Sequence, residues 1–115
     1  MNVLIVDDHA AFRRAARTVL EAEGFEVVGE AESGEEALLM APILAPELVL
    51  LDVQLPGIDG FEVAARLTAD ANRPAVVLVS SRDAADYGGL IEKSGAIGFL
   101  LKDQLSGDGL TALLA

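Results

Sequence analysis

Leu48-Val49-Leu50-Leu51-Asp52 decides how this chain is read. Four consecutive aliphatic residues end in a carboxylate, and Pro56-Gly57 and Asp59-Gly60 follow as turn formers. An unbroken apolar run of this length reads as a strand buried on both faces, as in a parallel sheet. Asp52 then stands at the carboxyl end of that strand, and we expect it to be exposed to solvent and to its neighbours. The carboxyl lip of an open α/β sheet is where such folds place their ligand sites.

Working outward, the same design recurs. Val3-Leu4-Ile5-Val6 ends in Asp7-Asp8; Ala75-Val76-Val77-Leu78-Val79, introduced by Pro74, ends in Ser80-Ser81; Ile97 to Leu101 ends in Lys102. Phe25 to Ala31 alternates partially, as an edge strand does. Helical patterns separate these runs. The first spans about His9 to Glu23, with Asp8 as a candidate N-cap, Phe12, Ala16, Val19 and Leu20 on one face and Gly24 as its stop. The second opens on the capping box Ser33-Gly34-Glu35-Glu36 and is expected to close at Pro42. The third is capped by Asp59, turns Phe61, Ala64 and Ala65 inward and ends near Asn72. A weaker one from Asp83 to Ser94 is interrupted by Gly88-Gly89 and stopped by Gly95, and Ser81 is a candidate cap for it. A last one begins at Leu105. The alternation is (βα)₅, an α/β fold with a parallel sheet and helices on both faces. Right-handed crossovers with one reversal of winding give the strand order 2-1-3-4-5.

The chain has 115 residues, which suits one domain over 1–115, and 52% apolar residues supply an ordinary core. No cysteine is present, which removes disulfides and thiolate metal sites and fits a reducing, cytoplasmic setting. No apolar run approaches the ~20 residues of a membrane span, and Met1-Asn2 leads straight into a strand rather than a signal peptide. A net charge of −11 repels nucleic acid and anionic membranes, so neither is an expected partner of this chain.

In the order 2-1-3-4-5, strands 1 and 3 are neighbours at the switch point, and their ends carry Asp7, Asp8 and Asp52. Strands 4 and 5 add Ser80 and Lys102. Three crowded carboxylates do not all stay ionised cheaply without a cation. Oxygen donors without cysteine favour a hard divalent ion such as Mg²⁺, or Mn²⁺. With an ammonium and a hydroxyl group added, the set describes a receptor for a phosphoryl group. Carboxylates do accept phosphoryl groups, and Asp52, being central, is the candidate nucleophile.

Each residue has a plainer explanation when taken alone. An acid pair caps helices, a strand-end aspartate turns, a lysine is solvated, and a strand phenylalanine such as Phe99 is core. His9 is best read as a solvent-facing residue of the first helical turn. The plain explanations fail jointly, because they require five coincidences on one lip.

Together these residues give the chain its resemblance, over essentially its whole length, to the receiver domain of two-component response regulators, a flavodoxin-like fold. The marks are Asp7-Asp8, Asp52, Ser80 and Lys102, with Leu55-Pro56 and Asp59-Gly60 behind the acceptor. The stretches Asp7-Asp8-His9, Phe12-Arg13 and Gly98-Phe99-Leu100-Leu101-Lys102-Asp103 are similar to the LuxR/NarL-type branch, whose members usually carry a DNA-binding helix-turn-helix domain after the receiver. The resemblance implies that Asp52 takes a phosphoryl group from a sensor histidine kinase or a small phosphodonor. It implies that Asp8, Asp52 and the backbone carbonyl of Gln54 ligate Mg²⁺, with Asp7 acting largely through a metal-bound water. It makes Ser80 and Lys102 the ligands of phosphoryl oxygens and Phe99 the aromatic that rotates on activation. Gln54 and Arg82 fall at the variable positions that tune phosphoryl lifetime. A phosphorylation-favoured homodimer is the expected assembly. We expect Ser80 to be free to move toward the phosphoryl group and Phe99 to fill the gap behind it. Ser80 departs from the commoner threonine, and Asp103 from the commoner proline. The alternatives are a stand-alone or pseudo-receiver interaction module and a small phosphatase of the haloacid-dehalogenase type. The latter needs Asp-x-Asp-x-Thr where this chain has Asp7-Asp8-His9-Ala10.

Overall fold

The computed structural model describes residues 1–115. Its strands are β1 (Asn2–Val6), β2 (Glu26–Ala31), β3 (Leu48–Asp52), β4 (Ala75–Ser80) and β5 (Gly98–Leu101), all parallel in the order β2-β1-β3-β4-β5. The helices are α1 (Ala10–Ala22), α2 (Gly34–Leu44), α3 (Gly60–Leu67), α4 (Leu90–Lys93) and α5 (Gly107–Leu114). The expected architecture and strand order are therefore those observed.

The unbroken apolar runs are explained by burial on both faces. Leu4, Val6, Val49, Leu51, Val76 and Leu78 face one way, against Ala37 and Ala41 of α2 and Val63 and Ala64 of α3. Val3, Ile5, Leu48, Leu50, Val77 and Val79 face the other way, against Ala16 and Leu20 of α1 and Leu110 of α5. β2, at the edge, carries the partial alternation expected of it and slips by one residue against β1 between Val3 and Leu4.

Local chemistry overrides several expected boundaries. Asp8 does not cap α1. His9 is the N-cap residue and makes no side-chain cap bond, while Asp7 Oδ1 accepts from the His9 N–H at 2.8 Å. The asparate-turn geometry is thus used one residue earlier, where it also orients the first acid of the site. Pro42 does not close α2, which runs on to Leu44 before Ala45 ends it in the left-handed region at φ 47°. A proline inside a helix costs about 3 kcal/mol, but the last turn seats Met40 and Leu44 against the core, and that burial is worth a similar amount. α3 stops at Leu67 rather than near Asn72, and at its end both the N–H and the hydroxyl of Thr68 donate to the Ala64 carbonyl, at 3.0 and 2.8 Å. Val63, not Ala65, joins Ala64 on its buried face. The Asp83–Ser94 helix is a 3₁₀ turn over Ala84–Tyr87, a break at Gly88-Gly89 and the single turn α4. Ser81 caps neither, since Asp83 is the residue before the 3₁₀ turn and makes no cap bond. The caps at Ser33, Asp59 and Ser106 accept from Glu36, Glu62 and Gly109 N–H respectively.

Candidate functional site

β1 and β3 pair in register, so their carboxyl ends come out side by side, and β4 and β5 continue the lip. Asp7 and Ser80 are fully buried there, and Asp52 is 2% exposed. The expectation of a solvent-exposed Asp52 is therefore corrected. Lys102 is the reason. Its Nζ lies 2.7 Å from Asp7 Oδ2 and 3.4 Å from Asp52 Oδ2, and 4.7 Å above the ring of Phe12. The lysine thus leans back over the carboxylates, held by charge on one side and by an aromatic face of α1 on the other.

The backbone also closes on Asp52. Its Oδ1 accepts from the Gln54 N–H at 3.2 Å. Gly60 N–H donates to the Val53 carbonyl at 2.8 Å, drawing the start of α3 under the strand end. A Cβ on Gly60 would collide with the Asp52 carbonyl oxygen, so the close approach requires glycine.

Burial and the neighbouring Asp7 charge push the Asp52 carboxyl up to about 6, against the opposing pull of Lys102 and the Gln54 N–H. Burial works against the Lys102 ammonium, but its hydrogen bond to Asp7 and the two carboxylate charges outweigh burial and raise its pKa. Asp7 Oδ2 and Asp52 Oδ2 are buried and meet no neutral donor; the lysine ammonium alone faces them. Asp8 sits more openly at the rim. His9 points its ring largely into solvent, as expected, yet its Nδ1 lies 3.1 Å from both Asp7 Oδ1 and Asp8 Oδ1. Asp7, Asp8, His9 and Asp52 offer ligand atoms all within 4.8 Å of one another. One ammonium against three carboxylates leaves a negative excess, and buried oxygens lacking neutral donors suit a hard divalent cation.

Two residues emerge that sequence reasoning did not assign. Arg13 donates from Nη1 to the Asp7 carbonyl at 2.7 Å and from Nε to Glu30 at 3.0 Å, clamping the corner between β1 and α1. A basic residue in a first helical turn gives no hint of that inward reach. The other is Tyr87. Its hydroxyl is 2.6 Å from Ser80 Oγ, and its ring stands between Phe61, at 5.3 Å and edge-on, and Phe99, at 6.1 Å. Ser80 Oγ also accepts from the Arg82 N–H at 3.0 Å. In this resting state Ser80 is engaged on both sides, and Tyr87 stands between it and the aromatic pair Phe61 and Phe99. Phe99 and Lys102 do fall on opposite faces of the sheet, Phe99 against Tyr87 and Lys102 against Phe12. Gln54 and Arg82 are exposed at the rim.

A five-stranded sheet of this order, with buried acids and a lysine on its carboxyl lip, defines a CheY-like signalling module. The response regulator receiver domain matches residues 3–114, and the chain belongs to that family. It is 40% identical over 103 residues to the response regulator GacA of Pseudomonas protegens, covering 89% of this chain and 48% of that protein. It is 42% identical over 115 residues to the positive alginate biosynthesis regulatory protein of Pseudomonas aeruginosa, covering 98% of this chain and 46% of that one. The signal receiver domain of the response regulator NarL from Mycobacterium tuberculosis superimposes with a TM-score of 0.88 at 36% identity, over 98% of this chain and 92% of that one. These similarities agree with the LuxR/NarL-type branch expected from the local sequence. The chain spans about half the length of the curated relatives it matches. No helix is long and apolar enough to cross a membrane.

Proposed function

We propose that this chain accepts a phosphoryl group on Asp52 from a sensor histidine kinase or a small phosphodonor, and that the change of state controls an output, which its relatives make transcription. The observation that carries this reading is the buried Asp52 carboxylate, with one oxygen tied to the Gln54 N–H and the other turned toward Lys102.

In this reading Asp8, Asp52 and the Gln54 backbone carbonyl would hold Mg²⁺ or Mn²⁺ directly, and Asp7 would support the ion from behind them. Such a cation would supply positive charge to offset the carboxylates and the phosphoryl oxygens. The remaining work falls to the chain itself. The Asp52 carboxylate attacks phosphorus, so an O–P bond forms as the bond to the donor's imidazole nitrogen or acyl oxygen breaks. Lys102 stands where it can meet a phosphoryl oxygen, and the Ser80 hydroxyl supplies a second contact. Lys102 thereby changes allegiance, from two carboxylates to one carboxylate and the incoming group. Gln54 and Arg82, at the rim, set water access and hence phosphoryl lifetime.

Incubation with acetyl phosphate and Mg²⁺ tests this reading. Intact-mass measurement should show one acid-stable, base-labile phosphoryl adduct, absent in Asp52→Ala and in Asp8→Ala. A full equivalent on Asp52→Ala would move the acceptor elsewhere. No adduct on the wild type would leave an interaction module that works without phosphate.

A further inference from the structure

Ser80 and Tyr87 form a hydrogen bond whose direction can be worked out from burial. Ser80 is fully buried, and its hydroxyl oxygen already accepts from the Arg82 N–H at 3.0 Å. Its own hydrogen needs an acceptor, because an unpaired buried hydroxyl is costly. The Tyr87 hydroxyl, at 2.6 Å, is the acceptor within reach. At rest, then, serine donates to tyrosine. Tyr87 is only half-buried, so its own hydrogen can turn to water.

A phosphoryl group on Asp52 reverses these demands. Anionic oxygens arrive as stronger acceptors than a phenol. The Ser80 hydrogen turns to them, and the two hydroxyl oxygens are left facing each other at 2.6 Å with no proton between them. The phenol is the better donor of the two hydroxyls, and it is already at hydrogen-bond distance. We propose that Tyr87 is a positioning residue for the phosphoryl site: its hydrogen bond with Ser80 runs from serine to tyrosine at rest and from tyrosine to serine when Asp52 carries a phosphoryl group. The reversal needs no large movement of Ser80, and it ties the acceptor to a ring packed between Phe61 and Phe99. Chemical state at Asp52 is thereby communicated to the 3₁₀ turn Ala84–Tyr87 and to α4, neither of which contains a buried residue.

This inference rests on Asp52 being the acceptor, and the molecule carries its own probe. Tyr87 is the one tyrosine, and there is no tryptophan. A phenol absorbs further to the red when its hydroxyl donates a hydrogen bond than when it accepts one. Near-ultraviolet difference spectra with beryllofluoride and Mg²⁺ should therefore show a red shift that Asp52→Asn abolishes. Tyr87→Phe, which keeps the ring but removes the resting acceptor of the buried Ser80 hydrogen, should strengthen beryllofluoride binding, by up to about tenfold. That change should vanish in a Ser80→Ala background, whereas a role confined to ring packing would persist there. A blue shift or a silent tyrosine in protein that binds beryllofluoride overturns the relay alone, as does an undiminished Tyr87→Phe effect without Ser80. Absence of both beryllofluoride binding and the acetyl phosphate adduct overturns the acceptor reading, and the relay with it.

Discussion

Asp52 is held ionised against its surroundings at neutral pH. Its carboxyl is pushed up to about 6 by burial and by Asp7, above the ~4 of an unfolded chain. Between those values the folded state binds more protons than the unfolded one, so stability falls as pH rises through the window. The penalty is absent below about pH 4, complete above about pH 6, and amounts to about 3 kcal/mol at most. Asp52→Asn should therefore stabilise the cation-free protein at pH 7.5 and have little effect at pH 4, as urea unfolding at the two values would show. Mg²⁺ should narrow the gap at pH 7.5 by stabilising the wild type. A gap that is the same at both pH values would mean that Asp52 carries no such penalty. The carboxylates, Ser80 and Lys102 were legible in the sequence because each follows directly on an apolar run, so the strand itself says where its end lies. Tyr87 and Arg13 were not. Tyr87 lies in a polar segment too irregular to assign a face, and its partner is identified only by the fold of β4 against the turn that follows.

Elements follow the same division. Strands buried on both faces announce themselves, and their order follows from chirality and the position of the acids. Helix ends are accompanied by bonds that composition does not reveal, such as the Thr68 hydroxyl on the Ala64 carbonyl. α2 is the instructive case. Pro42 looks like a terminator, yet Met40 and Leu44 on either side of it are drawn onto the core, and the helix continues. Pro42 is itself exposed, and it lacks the N–H that would bond the Leu38 carbonyl. Pro42→Ala restores that bond without disturbing a packed side chain. It should raise stability by about 1–3 kcal/mol, less what the unfolded chain gains in freedom. A denaturant midpoint that fails to rise would show that α2 is already relaxed around its proline.

At the scale of the molecule, a charge of −11 on 115 residues makes self-association unfavourable until something changes at a surface. The surface best placed to change is the one fed by Tyr87, comprising the 3₁₀ turn, α4 and β5, with α5 beside it and α1 next. Sedimentation with beryllofluoride and Mg²⁺ should show a dimer that is weaker or absent without them, and Ser80→Ala should lose the difference. Equal sedimentation under both conditions would place the response in local order instead, readable as amide-exchange changes over residues 83–101. The rims of the sheet limit what such a dimer can be. β5 is only four residues long, and β2 carries the acids Glu26 and Glu30 along its length, so neither edge invites a strand from another copy. A dimer of this chain would therefore meet through side chains on helices rather than by extending a shared ladder. Contacts of that kind need neither copy to unfold, so an assembly built on them would be reversible.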